Sequence, residues 1–95
     1  MKQANELETL ELTEKELVDY NDIRNSSAWR SMEVLRRARD GNNCASFDTN
    51  HVDYFMQKGL ILPDNNYIIH GFYKITKRGL KFLGKYAEDF IKSQA

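Results

Sequence analysis

Apolar residues follow two rhythms along this chain, and glycine, proline and capping residues mark where the rhythm changes. Thr13-Glu14-Lys15-Glu16 has the spacing of a capping box, in which the Thr13 hydroxyl accepts from the Glu16 amide and Glu16 reaches back. It predicts a short acidic helix over 13–24, with Leu17, Val18 and Ile23 as its apolar stripe and Tyr20 beside it. Ser26 or Ser27 can cap a second helix over 27–40. There Trp29, Met32, Leu35 and Arg36 share a face that Val34 and Ala38 broaden. Gly41 supplies a left-handed stop, and Arg36, Arg37 and Arg39 suit the negative end of the helix dipole. Residues 42–47 read as a polar connection with room for one helical turn around Cys44 and Ala45.

Asp48 is a good N-cap for a third helix over 48–58, which buries Val52, Phe55 and Met56 and stops at Gly59. The period then shortens. Leu60-Ile61-Leu62 reads as a strand, Pro63-Asp64-Asn65-Asn66 as a turn, and Tyr67-Ile68-Ile69 as a return. Gly71 permits a bend before Phe72-Tyr73-Lys74-Ile75, so a hairpin occupies 60–75. Thr76 caps a last helix over 76–92. Leu80, Leu83, Ala87, Phe90 and Ile91 form one apolar line along it, expected to serve the core, and Phe82 and Tyr86 form a second. The fold class is mainly α with a small β-hairpin. Residues 1–12 read as a frayed acidic segment ahead of one domain over 13–95.

Length agrees with a single domain, because 95 residues fall far below the roughly 250 at which chains divide. No apolar run approaches the roughly 20 residues that span a bilayer, and the N-terminus lacks a secretory pattern. With Cys44 as the lone cysteine, a reducing cytoplasm is the expected compartment. The formal net charge of zero conceals a division. Up to Ile23 the acids Glu6, Glu8, Glu11, Glu14, Glu16, Asp19 and Asp22 face only Lys2 and Lys15, a net −5, so the remainder carries +5. The bases cluster as Arg36-Arg37-x-Arg39 and Lys74-x-x-Lys77-Arg78-x-x-Lys81. Such a split fits a surface that faces a polyanion, and equally a set of solvated helix faces.

Two stretches carry a resemblance: Met56-Gln57-Lys58-Gly59-Leu60-Ile61, and Tyr73-Lys74-Ile75-Thr76-Lys77-Arg78-Gly79-Leu80-Lys81-Phe82-Leu83. Together they resemble the winged helix-turn-helix superfamily, especially its small archaeal, viral and bacterial regulators. That family reads helix, "lekGLI", hairpin, then "Y-x-lT-x-x-G-x-x-fl". The likeness spans residues 48–83, a little over a third of the chain. Two features depart from the family pattern. Only residues 42–47 separate Gly41 from the third helix, so the helix over 27–40 is taken as the second of three; a middle helix shrunk to a turn is the alternative. The third helix is also poor in bases, with Lys58 at its far end and Asp48 and Asp53 nearer its start.

The resemblance implies a DNA-binding protein, a small transcriptional or replication regulator. Its third helix would lie in a major groove of double-stranded DNA. The outward residues would then be Thr49, Asn50, Asp53, Tyr54 and Gln57. Asn50 and Gln57 could pair with adenine, and Thr49 could touch a thymine methyl or a phosphate. Lys58, Lys74, Lys77 and Arg78 would meet phosphates, and Asn65 and Asn66 at the hairpin tip would reach a minor groove. The last helix would form a homodimer through Phe82, Tyr86 and Phe90, unless the acidic first helix covers that surface within the chain. The competing expectation is a protein-interaction module that uses its acidic N-terminal segment and does not bind DNA.

Other chemistries find little support. His51 and His70 are too isolated for a metal site, which wants three or four convergent ligands. Cys44 has no partner histidine, the carboxylates of the first helix form a solvated face, and no glycine-rich phosphate loop occurs. No enzyme, cofactor or metal is expected.

Overall fold

The structure of the chain, a computed structural model, describes residues 11–64 and 71–94. Among these residues, four α-helices and one antiparallel strand pair follow the order α1 (Glu14–Arg24), a 3-10 segment (Ser27–Ser31), α2 (Glu33–Arg39), α3 (Thr49–Gln57), β1 (Ile61–Pro63), β2 (Tyr73–Ile75) and α4 (Lys77–Gln94). The expectations for residues 1–10, for the Tyr67-Ile68-Ile69 return and for Asn65, Asn66 and His70 lie outside the described residues.

Local capping chemistry sets the boundaries. The Thr13 capping box forms in both directions, Glu16 N to Thr13 Oγ1 at 3.1 Å and Thr13 N to Glu16 Oε1 at 2.9 Å. Two helices end in the same way. Gly41 and Gly59 take φ of 74° and 77°, a region that glycine enters without steric cost. Gly41 N reaches Ala38 O while Asn42 N reaches Arg37 O. Gly59 N reaches Met56 O while Leu60 N reaches Phe55 O. Each set is a Schellman motif, which satisfies carbonyls that a helix end would otherwise strand.

The expected single helix over 27–40 is corrected to two pieces. Met32 N bonds Trp29 O and Leu35 N bonds Met32 O, both three residues back, so the chain winds tightly before it becomes regular at Glu33. A 3-10 turn eclipses positions three apart. Ala28 and Ser31 thus share a buried line, while Trp29 turns toward Tyr20 and Tyr86 with ring centroids at 5.7 and 5.1 Å. The connection holds the single turn expected near Cys44, closed by Phe47 N to Cys44 O at 3.1 Å.

β1 and β2 pair in the register Ile61↔Ile75, Leu62↔Lys74 and Pro63↔Tyr73. Asp64 N to Phe72 O extends the pairing by one step, so the strand returning beside β1 is Tyr73–Ile75. The pair is braced from below by one residue. Thr76 Oγ1 lies 2.6 Å from Gly59 O and 3.0 Å from Leu60 O as donor, and accepts from Gly79 N at 2.9 Å. One hydroxyl therefore ties the end of α3 to the start of α4. Gly79 is buried against the same point: a Cβ there would overlap the Leu60 carbonyl oxygen.

The core comprises Tyr20, Ile23, Ala28, Met32, Val34, Leu35, Ala38, Cys44, Val52, Phe55, Leu60, Ile61, Phe82 and Leu83. Two expected faces are turned. On α1, Leu17 and Val18 are exposed, whereas Glu16, Tyr20 and Ile23 face inward. The large Tyr20 ring sets this rotation: it packs edge-on against Trp29 and Phe82, and its hydroxyl donates to Asp89 at 2.8 Å. On α4, Phe82 and Leu83 are buried while Leu80, Phe90 and Ile91 are exposed, the last two at 55% and 69%. Phe82 is thus a core residue and not an open dimerisation contact. Tyr86 is half-buried against Trp29. The face that α4 leaves to solvent carries Leu80, Gly84, Phe90 and Ile91, with Ala87 half-buried.

No helix among the described residues is long and apolar enough to cross a membrane.

Candidate functional site

Helix α3 buries Val52 and Phe55 and so turns its polar positions outward, as the period-3.6 pattern requires. Thr49, Asn50, Asp53 and Gln57 are exposed and Tyr54 is half-buried. Two hollows flank this face. Asn50 and Tyr54 share a hollow of about 300 Å³ with Ser26, Ser27, Ala28 and His51. Thr49 and Asp53 line another, of about 170 Å³, with Cys44, Ala45, Phe47, Val52, Gly71 and Tyr73. Burial pushes the Cys44 thiol above its ordinary value, against a smaller opposite pull from Arg37, so the neutral thiol is favoured.

His51 gains a role that its sequence context did not disclose. Its Nδ1 lies 2.6 Å from Ser31 Oγ and its Nε2 3.1 Å from Ser27 Oγ. The imidazole thereby latches the 3-10 segment to α3 and satisfies the buried Ser31 hydroxyl. The signal was a pair of serines four apart, which becomes readable only once that segment is known to pack on α3. No group of three or more metal-ligating side chains occurs among the described residues.

The cations fall into two classes. Lys74 and Lys77 are exposed, and neither has an ion pair within 4 Å among the described residues. Lys58 and Arg78, expected to be open to phosphate, instead face α1. Lys58 Nζ lies 3.2 Å from Asp19 Oδ1, and Arg78 NH2 lies 3.5 Å from Asp19 Oδ2. Arg78 Nε lies 3.5 Å from Glu16 Oε2, and Lys81 Nζ lies 3.1 Å from Glu16 Oε1. The hydrogen bond to Asp19 raises the Lys58 pKa, outweighing burial, and Lys58 also sits 5.6 Å from the Tyr54 ring centre. Burial pushes the Glu16 carboxyl up, but hydrogen bonds from Thr13 and Lys81 with the Lys81 charge outweigh it and leave the pKa below 4.5. The pairing is incomplete at one atom: Arg78 Nε is shut off from solvent with no hydrogen-bond partner among the described residues.

The structure thus brings together Asn50 and Tyr54, joins Lys58 to Arg78 through Asp19, and keeps Lys74 and Lys77 outside that cluster. The chain shows no significant match to any protein-family model, curated protein or solved structure compared.

Proposed function

We propose that the chain is a winged helix-turn-helix protein that binds double-stranded DNA as a small transcriptional or replication regulator, with α3 as its reading helix. The observation that carries this reading is the polar outward face of α3, held on a helix whose end is fastened to β1 and α4 through Thr76. Asn50 and Gln57 have the donor–acceptor pair that matches adenine, and Thr49 and Tyr54 flank them. Lys74 and Lys77 supply unencumbered charge for phosphates, with Lys58 and Arg78 behind them. A homodimer through the exposed face of α4, centred on Leu80, Phe90 and Ile91, would set two copies of α3 for adjacent half-sites.

One observation favours a protein-interaction module instead. Helix α1 already neutralises Lys58 and Arg78, and α3 itself holds Asp53 but no lysine or arginine. Titration of a mixed-sequence duplex against the protein at rising salt separates the readings. DNA binding predicts a log–log slope of about −0.9 per phosphate contact, lost affinity for all sequences in Lys74→Glu/Lys77→Glu, and altered sequence preference in Asn50→Ala. Absence of binding at low salt, with a protein partner bound through the acidic segment, would leave the module reading standing.

A further inference from the structure

We infer that Glu16 and Asp19 of α1 act as an internal stand-in for phosphate, competing with any polyanion for Lys58, Arg78 and Lys81. The inference rests on the DNA-binding reading for its biological partner but not for its chemistry. Three cations converge on two carboxylates at 3.1 to 3.5 Å, in the charge pattern with which such cations hold phosphate oxygens but at separations looser than a close charge-assisted hydrogen bond, about 2.7–2.9 Å. The arrangement is not a sealed core pair. The Arg78 and Lys58 side chains remain 36% and 24% exposed, so an incoming anion can reach both. Nor do the carboxylates saturate their partners, since Arg78 Nε has no hydrogen-bond acceptor among the described residues.

The competition takes place at the tips of side chains. Helix α1 is fixed from below by the buried Tyr20 and Ile23 and by the Tyr20–Asp89 hydrogen bond, so it does not swing away as a unit. Any polyanion that engages Lys58 or Arg78 must displace a carboxylate that stays close by. Occupied cations contribute little counterion release, because α1 has already neutralised them. The acidic face of α1 therefore lowers both the affinity for a polyanion and the salt dependence of binding, and it leaves Lys74 and Lys77 as the first points of contact.

The test uses the full chain in two charge-matched double variants. Glu16→Gln/Asp19→Asn frees the cluster, and Gln at this position still completes the capping box. Glu11→Gln/Glu14→Gln changes net charge equally at exposed positions that make no ion pair among the described residues. Circular dichroism and melting confirm that each is folded. Affinity for a mixed-sequence duplex and for inorganic polyphosphate is then measured across salt concentration. The expected result is tighter binding by Glu16→Gln/Asp19→Asn, with a duplex slope about one to two units steeper, since each newly used phosphate contact adds about 0.9. The control pair should keep the wild-type slope. Equal slopes for the two variants with both anions overturn the inference. If no variant binds duplex but the freed cluster binds polyphosphate more tightly than the control does, the DNA reading falls and the competition stands.

Discussion

Helix α1 meets α4 along two edges of opposite character. At one edge Tyr20 and Ile23 sink into an aromatic seam with Trp29, Phe82 and Tyr86. At the other, Glu16 and Asp19 meet Lys81, Arg78 and Lys58 in a charged rim. The seam removes large apolar surfaces from water, which is worth roughly 25 cal/mol per Å². The rim trades hydration for Coulomb attraction, and partly exposed pairs of this kind net about 0 to 1 kcal/mol each. The seam therefore holds α1 in place, while the rim governs what the surface offers to an anion.

Phe82→Ala attacks the seam at its centre and should cost the most, about 3 to 5 kcal/mol, because the ring is fully buried between α1 and the rest of the core. A urea midpoint barely below wild type would show that the seam is not the main fastening. Tyr20→Phe keeps the ring and removes only its bond to Asp89, so a smaller loss of about 1.5 kcal/mol is expected in the same experiment. Glu16→Gln/Asp19→Asn dismantles the rim and should cost about 1 kcal/mol. A loss as large as that of Phe82→Ala would invert the comparison. Lys77→Glu touches neither edge and should leave stability within about 0.5 kcal/mol of wild type while it weakens any polyanion binding.

Acid titration distinguishes the edges by another route. Burial pushes the Asp89 carboxyl up, but the Tyr20 hydroxyl, Lys85 and Arg24 outweigh it and hold the pKa below 3.8; Glu16 is likewise held below 4.5. Both groups bind protons less readily folded than unfolded. Their contribution is thus complete above those ordinary values and is lost as pH falls through the lowered ones. Denaturant midpoints should be flat from about pH 7 to pH 5 and decline below about pH 4.5. In Glu16→Gln the decline should be shallower and should start lower, since only the Asp89 part remains from this pair.

Sequence reasoning succeeded where the physics is local. The Thr13 box, the Asp48 cap, the glycine stops at positions 41 and 59, and the Thr76 start all lie within a few residues of the groups they satisfy. Gly79 belongs to the same local set, because the glycine sits three residues after the cap that brings α4 against Leu60. The helix faces were less legible. Leu17 and Val18 look like a better stripe than Glu16 and Tyr20 when α1 is considered alone. Likewise the line expected to serve the core on α4 divides, with Leu83 buried beside Phe82 while Leu80, Phe90 and Ile91 stay exposed. The break at Met32 left no proline or glycine to mark it.

The amino-acid sequence by itself determined where α1 and α3 start and stop, where α2 stops and α4 starts, and that a strand pair separates the last two helices. It also determined that charge is divided between the ends of the chain, since caps, left-handed glycines and net charge depend on neighbours along the backbone. Tertiary structure decided which side of α1 and α4 turns inward, that Ser27–Ser31 winds as a 3-10 turn, and that the acids of one end neutralise cations of the other. These outcomes depend on which aromatic rings fit together across 50 or more residues of chain, and amphipathic periodicity fixes a helix's faces only up to a rotation that its partners choose.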